Sequence, residues 1–410
     1  MAIRKVTYLP ELVDNNIELS VRHLKQYFKF GHGKSAFITK AVHDVSFDIK
    51  KGECFGVVGE SGCGKTTTGR TLIRLYKATS GSVYFKGYRI AAGNRWNEKE
   101  IKWKRVEANR KIKDLKLEMN EKISALSEDE GNPDFLATET KKIQDEYNEK
   151  ICKIQADLAE LIKIQREKIA QHNYDSSHVD KKLMSKMQMI FQDPVDSLDP
   201  RMTVEDIIQE GLHIQGQYNK FENSQKVKDA LVKVGLLPEY ASRYPHEFSG
   251  GQRQRIGIAR ALIMNPDFLI CDEPISALDV SIRAQIINLL NNLKDEMGLT
   301  IMFIAHDLSV VKYFCDRIAV MYFGNIVELA SSDELFKHPL HPYTKALLSA
   351  IPKPDPLSEK VRKRYIYVPA NEHDYSKEGP KLVEITPGHF VMANSEELEK
   401  YKKEIEGKKQ

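Results

Sequence analysis

Cysteine is scarce in this chain, and its distribution argues against a disulfide framework. The 410 residues include five cysteines, Cys54, Cys63, Cys152, Cys271 and Cys315, and no two of them form a Cys-x-x-Cys pair. An odd and scattered set of thiols is typical of a reduced cytosolic protein. The class of small, disulfide-stabilised secreted proteins is therefore excluded.

Long apolar runs are also lacking. No stretch approaches the roughly 18 apolar residues of a membrane-spanning helix, and the first residues, MAIRKVTYLPELVDNN, contain no apolar signal core. We therefore expect a cytosolic chain, unless a partner holds it at a membrane.

Excess charge of one sign is lacking as well. Lys and Arg number 62 against 58 Asp and Glu, which gives a formal net charge of +4. This excess is too small to indicate a nucleic-acid partner by itself. The length suffices for two or three domains with a substantial core.

Glycine nearly disappears between about residue 97 and residue 172, where charges of both signs alternate. The pattern predicts an antiparallel helical hairpin with a heptad-like seam, whose arms of about 26–34 residues would extend roughly 40–50 Å. A solvated coiled-coil face explains the mixed charges better than a nucleic-acid-binding arm does. The polar segment SEDEGNPDF separates the arms, and the predicted seam residues are Ile112, Leu115, Met119, Ile123 and Leu126, then Ile143, Tyr147, Ile151, Ile154, Leu158 and Leu161.

The chain contains one glycine-rich segment of particular interest, GESGCGKTT at residues 59–67. It fits the G-x-x-x-x-G-K-[ST] pattern between a strand-like segment, CFGVVG, and a helix predicted over residues 65–76. Gly62 and Gly64 allow backbone N–H groups to surround phosphates, Lys65 supplies positive charge, and the Thr66 hydroxyl can bind Mg²⁺. The segment predicts a nucleoside triphosphate site that includes Gly59, Glu60, Ser61, Gly62, Cys63, Gly64, Lys65, Thr66 and Thr67.

Polar residues follow several short apolar runs. In FLICDEP, Asp272 ends a predicted strand, where it could hold Mg²⁺, and Glu273 comes next, where it could orient or activate water. His306 ends TIMFIAHD and Gln192 follows MIF. A second anion cradle, HEFSGGQRQR, leads into another predicted helix.

Taken in order, these segments resemble the ATPase of an ABC transporter over roughly residues 17–330. FQDPVDSLDPRMTV, HPLHPYTKALLSAIPKPDP and KLVEITPGHFV further resemble the ATPase subunits of oligopeptide and dipeptide importers, above all the second of their two ATPases. The motifs that carry the resemblance are residues 59–67, Gln192, residues 248–252, residues 268–273, SALD at residues 276–279, and His306.

The resemblance implies an α/β P-loop NTPase of the ABC type, with a RecA-like core and antiparallel β and α-helical subdomains. We expect the first part of this ATPase domain at residues 1–91, an inserted helical hairpin at 92–180, the remainder of the domain at 181–332 and a small α+β extension at 333–410.

It also implies roles for individual residues, with ATP and Mg²⁺ as ligands. Glu273, His306 and Gln192 would be catalytic, and Thr66, Gln192 and Asp272 would hold the metal. An aromatic ring should stack on adenine, and Phe37 is the first choice, with Phe30 and Tyr27 as alternatives. Since the last cysteine is Cys315, we expect no iron–sulfur cluster of the kind that some relatives bind. The second cradle, with Ser249, Gly250, Gly251, Gln252 and the bridging Asp279, would serve the ATP of a partner chain.

The partners implied are a second ATPase subunit, more readily a paralogue than an identical chain, two membrane-spanning permease subunits and an extracellular peptide-binding protein. The chain would then lie at the cytoplasmic face of the cell membrane and power peptide uptake, without nucleic acid. Alternatives are a coiled-coil ATPase of the chromosome or DNA-repair type, an exporter or other non-transport ATPase, and an importer of another solute such as nickel. The hairpin precedes Gln192 and the HPYTKALLSAIP segment has no explanation in the DNA-repair class, so both features favour peptide import.

Overall fold

The computed structural model describes residues 5–31, 35–127, 133–351 and 365–408. Two compact units form, each with its own internal contacts. The larger unit consists of Tyr8–Ala91 and Val179–Gln410, and the smaller one contains Ala92–His178 with the described residues that precede Tyr8. Parts of two predicted segments, the polar break between the arms and the end of the HPLHPYTKALLSAIPKPDP stretch, lie outside the described residues.

Strands predominate before the hairpin, and helices and strands alternate over most of the chain after it. Before the hairpin the chain forms α1 Pro10–Asp14, β1 Ile17–Phe30, β2 Phe37–Lys50, β3 Cys54–Val58, α2 Lys65–Leu72, β4 Ser80–Phe85 and β5 Tyr88–Asn94. The hairpin consists of α3 Arg95–Ser127 and α4 Pro133–Ser177. After it come α5 Lys181–Ser185, β6 Met187–Ile190, α6 Val204–Ile214, α7 Lys220–Lys233, α8 Gly250–Leu262, β7 Phe268–Asp272, α9 Val280–Met297, β8 Thr300–Ala305, α10 Leu308–Phe314, β9 Arg317–Tyr322 and β10 Asn325–Ser331. The last part contains α11 Ser332–Lys337, α12 Pro342–Ser349, α13 Pro369–Glu372, β11 Lys381–Thr386, β12 His389–Ala393 and α14 Ser395–Lys408.

The main sheet has the strand order β11-β12-β10-β9-β3-β8-β7-β6. Strands β9, β3, β8, β7 and β6 are parallel, and β10, β12 and β11 add antiparallel neighbours. Continuous apolar runs suit strands covered on both faces, and β3, β7 and β8 are buried along their whole length. Along β3 the side chains alternate between two cores, with Cys54 and Val58 in one and Phe55 and Val57 in the other.

The carboxyl ends of four parallel strands lie side by side. Val58 pairs with Ala305, Asp272 pairs with Ile304, and Ile190 pairs with Cys271. The residues that follow β3, β6, β7 and β8 therefore emerge at one edge of the sheet, which is where open α/β sheets bind their ligands.

A second sheet has the strand order β2-β1-β4-β5. Its strands β1 and β2 lie within residues 17–60, where alternating polar and apolar residues predict β-structure. Helix α2 is shorter than the predicted helix over residues 65–76, because it ends at Leu72. Arg74 takes a left-handed conformation with φ of 67°, and the amides of Leu75 and Tyr76 both donate to the Arg70 carbonyl, which closes the helix.

The hairpin buries one narrow seam between its helices. Ala108, Tyr147 and Ile151 are buried there. Helix α4 has 45 residues, so at 1.5 Å per residue it is about 68 Å long, which exceeds the predicted arm length. None of the helices within the described ranges has both the length and the apolar character needed to cross a membrane.

The C-terminal strands extend the main sheet through pairing of β12 with β10. The basic terminal segment EELEKYKKEIEGKKQ predicts a solvated helix, and this is wrong for one face of α14. Tyr401 and Ile405, four residues apart and hence on one side of the helix, pack into a small core with Leu340 and Val391.

Candidate functional site

The segment between β3 and α2, residues 59–67, forms a tightly packed loop, hereafter the phosphate loop. Gly59 has φ of 151° and Gly64 has φ of 107°, conformations that favour glycine. A Cβ atom would lie 2.2 Å from the Met321 carbonyl oxygen at Gly59 and 2.2 Å from the Ala41 carbonyl oxygen at Gly64. The loop thus passes close to two other backbone segments, and only glycine fits at these two positions.

Lys65 lies inside this loop and is only 4% exposed. Its Nζ donates to the carbonyl oxygens of Gly59, at 2.8 Å, and Glu60, at 3.0 Å. The same Nζ is 3.9 Å from Oε1 of Glu273. A buried ammonium group surrounded by oxygen atoms is suited to contact a phosphate held by the loop.

Thr66 and Asp272 meet at the start of α2 and the end of β7. Thr66 Oγ1 donates to Asp272 Oδ1 at 2.7 Å, whereas the buried Oδ2 of Asp272 has no hydrogen-bond partner in the described structure. Burial raises the pKa of the Asp272 carboxyl, and the hydrogen bond from Thr66 and the charge of Arg70 act in the opposite direction.

These two oxygen-bearing side chains fit a Mg²⁺ ion. Magnesium is commonly bound by one or two protein oxygen ligands, together with substrate phosphates and water. The described residues contain no group of three or more His, Cys, Asp or Glu side chains that could hold a metal without other ligands. Oδ2 of Asp272, which accepts no hydrogen bond from the described residues, is the buried acceptor that such an ion would satisfy.

Glu273 is the point where three predicted residues come together. Its Oε2 accepts a hydrogen bond from His306 Nδ1 at 2.9 Å and one from Gln192 Nε2 at 3.4 Å, while Oε1 faces Lys65. A carboxylate only accepts hydrogen bonds, so the proton of His306 lies on Nδ1 and leaves Nε2 available. The backbone of Glu273 has φ of 43°, and its N–H donates to Ile304 O at 3.0 Å.

The second cradle forms the start of α8. Ser249 Oγ accepts from the Gln252 N–H at 3.3 Å, and Gln252 Oε1 accepts from the Ser249 N–H at 3.0 Å, which is a capping box. Ser249 and Gly250 are exposed, and Gly251 and Gln252 are half-buried. Within the ranges that the structure describes, no hydrogen bond or ion pair joins residues 249–252 to the phosphate loop or to Glu273.

Asp279 also stays apart from that cluster. It precedes α9 as an exposed residue whose side chain does not cap the helix. The phosphate loop and Glu273 therefore belong to one cluster. Residues 249–252 and Asp279 lie outside that cluster in the same chain.

The three candidates for adenine stacking differ in their surroundings. Phe37 is 61% exposed and stacks on Phe30, with ring centroids 5.4 Å apart. Tyr27 instead forms a hydrogen bond with His43 Nδ1. Phe37 starts β2, the strand whose Ala41 carbonyl lies against Gly64. The assignment of the stacking ring to Phe37 stays a prediction.

Two neighbours of the site were missed in the sequence. Arg70 lies one helical turn after Thr66, and its Nη2 is 4.0 Å from Asp272 Oδ2, so the i,i+4 spacing was a usable signal. Tyr343, in α12, accepts a hydrogen bond at Oη from the Glu60 N–H at 3.0 Å. Nothing in the local sequence pattern indicates that contact.

Two family models match this chain, and the first includes the phosphate loop, Gln192 and Glu273. The model described as ABC transporter matches residues 42–160 and 149–276, which together exceed half of the chain. The chain belongs to the ABC transporter family. A second model, described as oligopeptide/dipeptide transporter, C-terminal region, matches residues 327–379 of this ABC protein. The chromosome or DNA-repair alternative gives no reason for that second match.

Curated relatives match along almost the whole ABC chain. The oligopeptide transport ATP-binding protein OppF of Bacillus subtilis (strain 168) is 46% identical over 384 residues, covering 93% of this chain and 98% of that protein. OppF of Streptococcus pyogenes serotype M1 is 44% identical over 380 residues, covering 92% and 95%. The oligopeptide transport ATP-binding protein AmiF of Streptococcus pneumoniae serotype 4 is 44% identical over 375 residues, covering 91% and 94%.

These matches confirm that the chain is an ABC-type ATPase. They also confirm its predicted resemblance to the ATPase subunits of oligopeptide and dipeptide importers. They also confirm the predicted fold class, a P-loop NTPase with a mixed α/β core. Nucleotide binding follows from membership of the ABC family.

Proposed function

We propose that this chain binds and hydrolyses ATP to power the uptake of oligopeptides or dipeptides through separate membrane subunits. The observation that carries the ATPase part is the convergence of Lys65, Gln192 and His306 on Glu273. The names of the relatives and the match at residues 327–379 support the peptide part.

In this proposal the phosphate loop binds the triphosphate of ATP. Its backbone N–H groups and the start of α2 face the phosphates, and Lys65 donates to their oxygens. Thr66 and Asp272 hold Mg²⁺, with Gln192 as a further ligand candidate. The ion supplies positive charge that offsets the charge on the phosphate oxygens.

Glu273 then orients the water that attacks the γ-phosphorus and accepts a proton from it. The bond from water oxygen to phosphorus forms as the bond to the leaving ADP oxygen breaks, and the products are ADP and phosphate. His306 and Gln192 fix the carboxylate by donating to Oε2. The free Nε2 of His306 can donate to or accept from a γ-phosphate group or water, according to its protonation state.

The exposed cradle is proposed to complete the ATP site of a second ATPase subunit. Ser249, Gly250, Gly251 and Gln252 would offer hydroxyl and N–H groups at the start of α8 to that γ-phosphate, and Asp279 would bridge the two subunits. The partner is more readily a paralogue than an identical chain. Because each site then needs both subunits, hydrolysis is tied to their closure.

The remaining partners are two permease subunits and an extracellular peptide-binding protein, with the chain at the cytoplasmic face of the membrane and no nucleic acid. No iron–sulfur cluster is included in the proposal, since the last cysteine is Cys315.

The proposed domain division keeps the hairpin, residues 92–180, as an insertion in the ATPase domain. Support for it comes from the separate compact unit Ala92–His178 and from the two family matches that meet at residues 149–160.

Glu273→Gln tests the ATPase proposal because it keeps the side-chain length and removes the base. We expect hydrolysis in the assembled transporter to fall by about a hundredfold or more, with ATP binding retained. Glu296→Gln, which changes an exposed carboxylate on α9 in the same way, should hydrolyse at the wild-type rate. Undiminished hydrolysis in the Glu273 variant would contradict the assignment.

Uptake of labelled peptides tests the cargo. Cells that lack this chain should import labelled di- and oligopeptides only when complemented with the wild-type chain, and not with Glu273→Gln. Loss of nickel uptake with unaffected peptide uptake would instead favour the importer of another solute.

A further inference from the structure

One tyrosine from the C-terminal part of the chain holds the phosphate loop. The Glu60 N–H donates to the hydroxyl of Tyr343, 283 residues further along, at 3.0 Å. In the part of the chain that the structure describes, no other side chain from outside the loop and α2 hydrogen-bonds to the loop backbone. Among the described residues, the loop backbone has one further hydrogen bond to a residue outside the loop and α2, from the Gly324 N–H to the Cys63 carbonyl at 2.9 Å. The side chains of Lys65 and Thr66 contact Glu273 and Asp272 instead.

The position of Tyr343 is fixed by a buried network at the start of α12. The Tyr343 N–H donates to His341 Nδ1 at 3.1 Å. The N–H groups of Leu340 and His341 donate to the two oxygens of Glu328, at 2.8 and 3.0 Å. His389, on β12, lies with Nε2 2.9 Å from the same carboxyl group.

Glu328 is completely buried on β10, so its carboxyl group depends on these donors. Oε2 has the His341 N–H as its one donor among the described residues, and losing a donor from a buried acceptor is costly. The network therefore joins β10, β12 and the start of α12 into one rigid support behind Tyr343.

Neighbouring aromatic rings also pack against the Tyr343 ring. It is 2% exposed and contacts the rings of Tyr322 and Tyr367, with centroids 4.4 and 5.6 Å away. Burial raises the pKa of the Tyr343 hydroxyl further above its ordinary value of 10.0, so the group is protonated and neutral at physiological pH. A rigid aromatic ring with one polar atom at its tip presents that atom at a defined place.

We infer that Tyr343 is a positioning residue for ATP binding: its hydroxyl fixes the peptide group between Gly59 and Glu60, so that the C-terminal part of the chain sets the affinity of the phosphate loop. This inference rests on the proposed ATPase function.

The physical reason lies in the peptide group that joins Gly59 to Glu60, which is hydrogen-bonded on both sides. Its carbonyl, on Gly59, accepts from Lys65 Nζ at 2.8 Å, and phosphate oxygens bound to Lys65 compete for the same ammonium donors. Its N–H is held by Tyr343, which takes no part in that competition. The loop therefore keeps one anchor whichever acceptors Lys65 contacts, and an ordered loop binds its ligand without the entropy cost of ordering it.

Tyr343→Phe isolates this hydroxyl, because the ring and its packing are retained. One net hydrogen bond corresponds to about a three- to tenfold change in an equilibrium constant. We expect the Kd of the full-length chain for Mg·ATP and Mg·ADP to rise by that factor. In the assembled transporter KM for ATP should rise similarly with kcat unchanged, since Tyr343 does not contact Glu273, Gln192 or His306.

Tyr367→Phe is the matched control. Tyr367 belongs to the same group of rings, but its hydroxyl makes no hydrogen bond with the phosphate loop, so its Kd should remain at the wild-type value. Hydrogen exchange adds a structural measurement: the peptide that contains residues 59–65 should exchange faster in Tyr343→Phe than in the wild type, and not in Tyr367→Phe.

The outcomes separate the two proposals. If the wild-type chain binds neither nucleotide, the proposed function fails. If the wild type binds but Tyr343→Phe shows the same Kd and exchange, the inference about Tyr343 fails while the ATPase proposal stands. An equal rise in Kd for both tyrosine variants, or a loss of kcat at unchanged KM, would also overturn it.

Discussion

The two units of this chain are stabilised by different kinds of contact. In the larger unit, β3, β7 and β8 are buried along their whole length between two apolar cores. In the hairpin, α3 and α4 bury a narrow seam and expose their remaining faces. A strand that is buried on both faces fixes the position of the residue that follows it, and catalytic side chains need such fixed positions. A seam between two helices determines the register of those helices and little else.

Charge is used differently as well. Lys65 and Asp272 are buried at the candidate site. The hairpin instead carries exposed pairs within one helix, such as Glu107 with Lys104 and Lys111 at 2.7 and 2.9 Å. Surface pairs of this kind contribute little to stability, whereas buried charges act on any ligand nearby with little screening.

Gly64→Ala should have the largest effect, because it adds a side chain where the phosphate loop packs against the backbone of β2 in the larger unit. The new Cβ would lie 2.2 Å from the Ala41 carbonyl oxygen, at φ of 107°. We expect a loss of about 3 kcal/mol in the free energy of unfolding of the larger unit, measured by urea denaturation, and no detectable nucleotide binding.

Gly52→Ala is the control for the backbone conformation alone. Its φ is 76°, but nothing lies within 4 Å of the new Cβ. It should cost only about 1 kcal/mol. Equal losses for the two variants would show that the close approach at Gly64 does not matter.

Asp175→Ala should have an intermediate effect, confined to the smaller unit. This fully buried carboxylate accepts from the Thr7 N–H at 3.1 Å, the Thr7 hydroxyl at 2.7 Å and Gln171 Nε2 at 2.8 Å. Losing it leaves these donors unsatisfied, at a cost of about 1–3 kcal/mol. Faster hydrogen exchange should appear in residues 5–7 and 165–177, with the Kd for ATP unchanged. Faster exchange spread over β3, β7 and β8 would break the distinction between the two units.

Glu107→Gln should have the smallest effect. Hydrogen bonds from Lys104 and Lys111 lower the pKa of Glu107 to about 2 from its ordinary 4.5. Any stabilisation by the ionised form is thus complete above pH 4.5 and is lost as pH falls from 4.5 towards 2. Because the group is exposed, we expect the melting temperature at neutral pH to change by no more than about 1 °C. Glu121→Gln, an exposed residue of the same helix, is the matched control, and a clear difference between the two would show that the surface pairs matter.

Much of the ATPase cluster could be predicted from the sequence because its residues follow apolar runs. Gln192, Glu273 and His306 each come just after a strand, and parallel strands in register bring such residues to one edge. The hairpin was predictable for a similar reason, since a long periodic pattern determines local structure.

Contacts between distant parts of the chain could not be predicted in this way. The bond between Glu60 and Tyr343 depends on how α12 packs beside β10, and no local pattern specifies it. The end of α2 depends on the left-handed conformation of Arg74, which is unusual for arginine. The buried face of α14 had a readable signal, the four-residue spacing of Tyr401 and Ile405, and that signal was missed.

Asp272 and Glu273 are consecutive, yet their side chains form hydrogen bonds with different residues. Asp272 bonds to Thr66, and Glu273 bonds to His306. The left-handed backbone at Glu273 separates the two directions. Their Cα atoms can only be about 3.8 Å apart, as covalent geometry dictates. Whatever movement accompanies the proposed transport cycle, the proposed metal ligand and the proposed base therefore stay next to each other, and only the groups on other strands can change their distance from them.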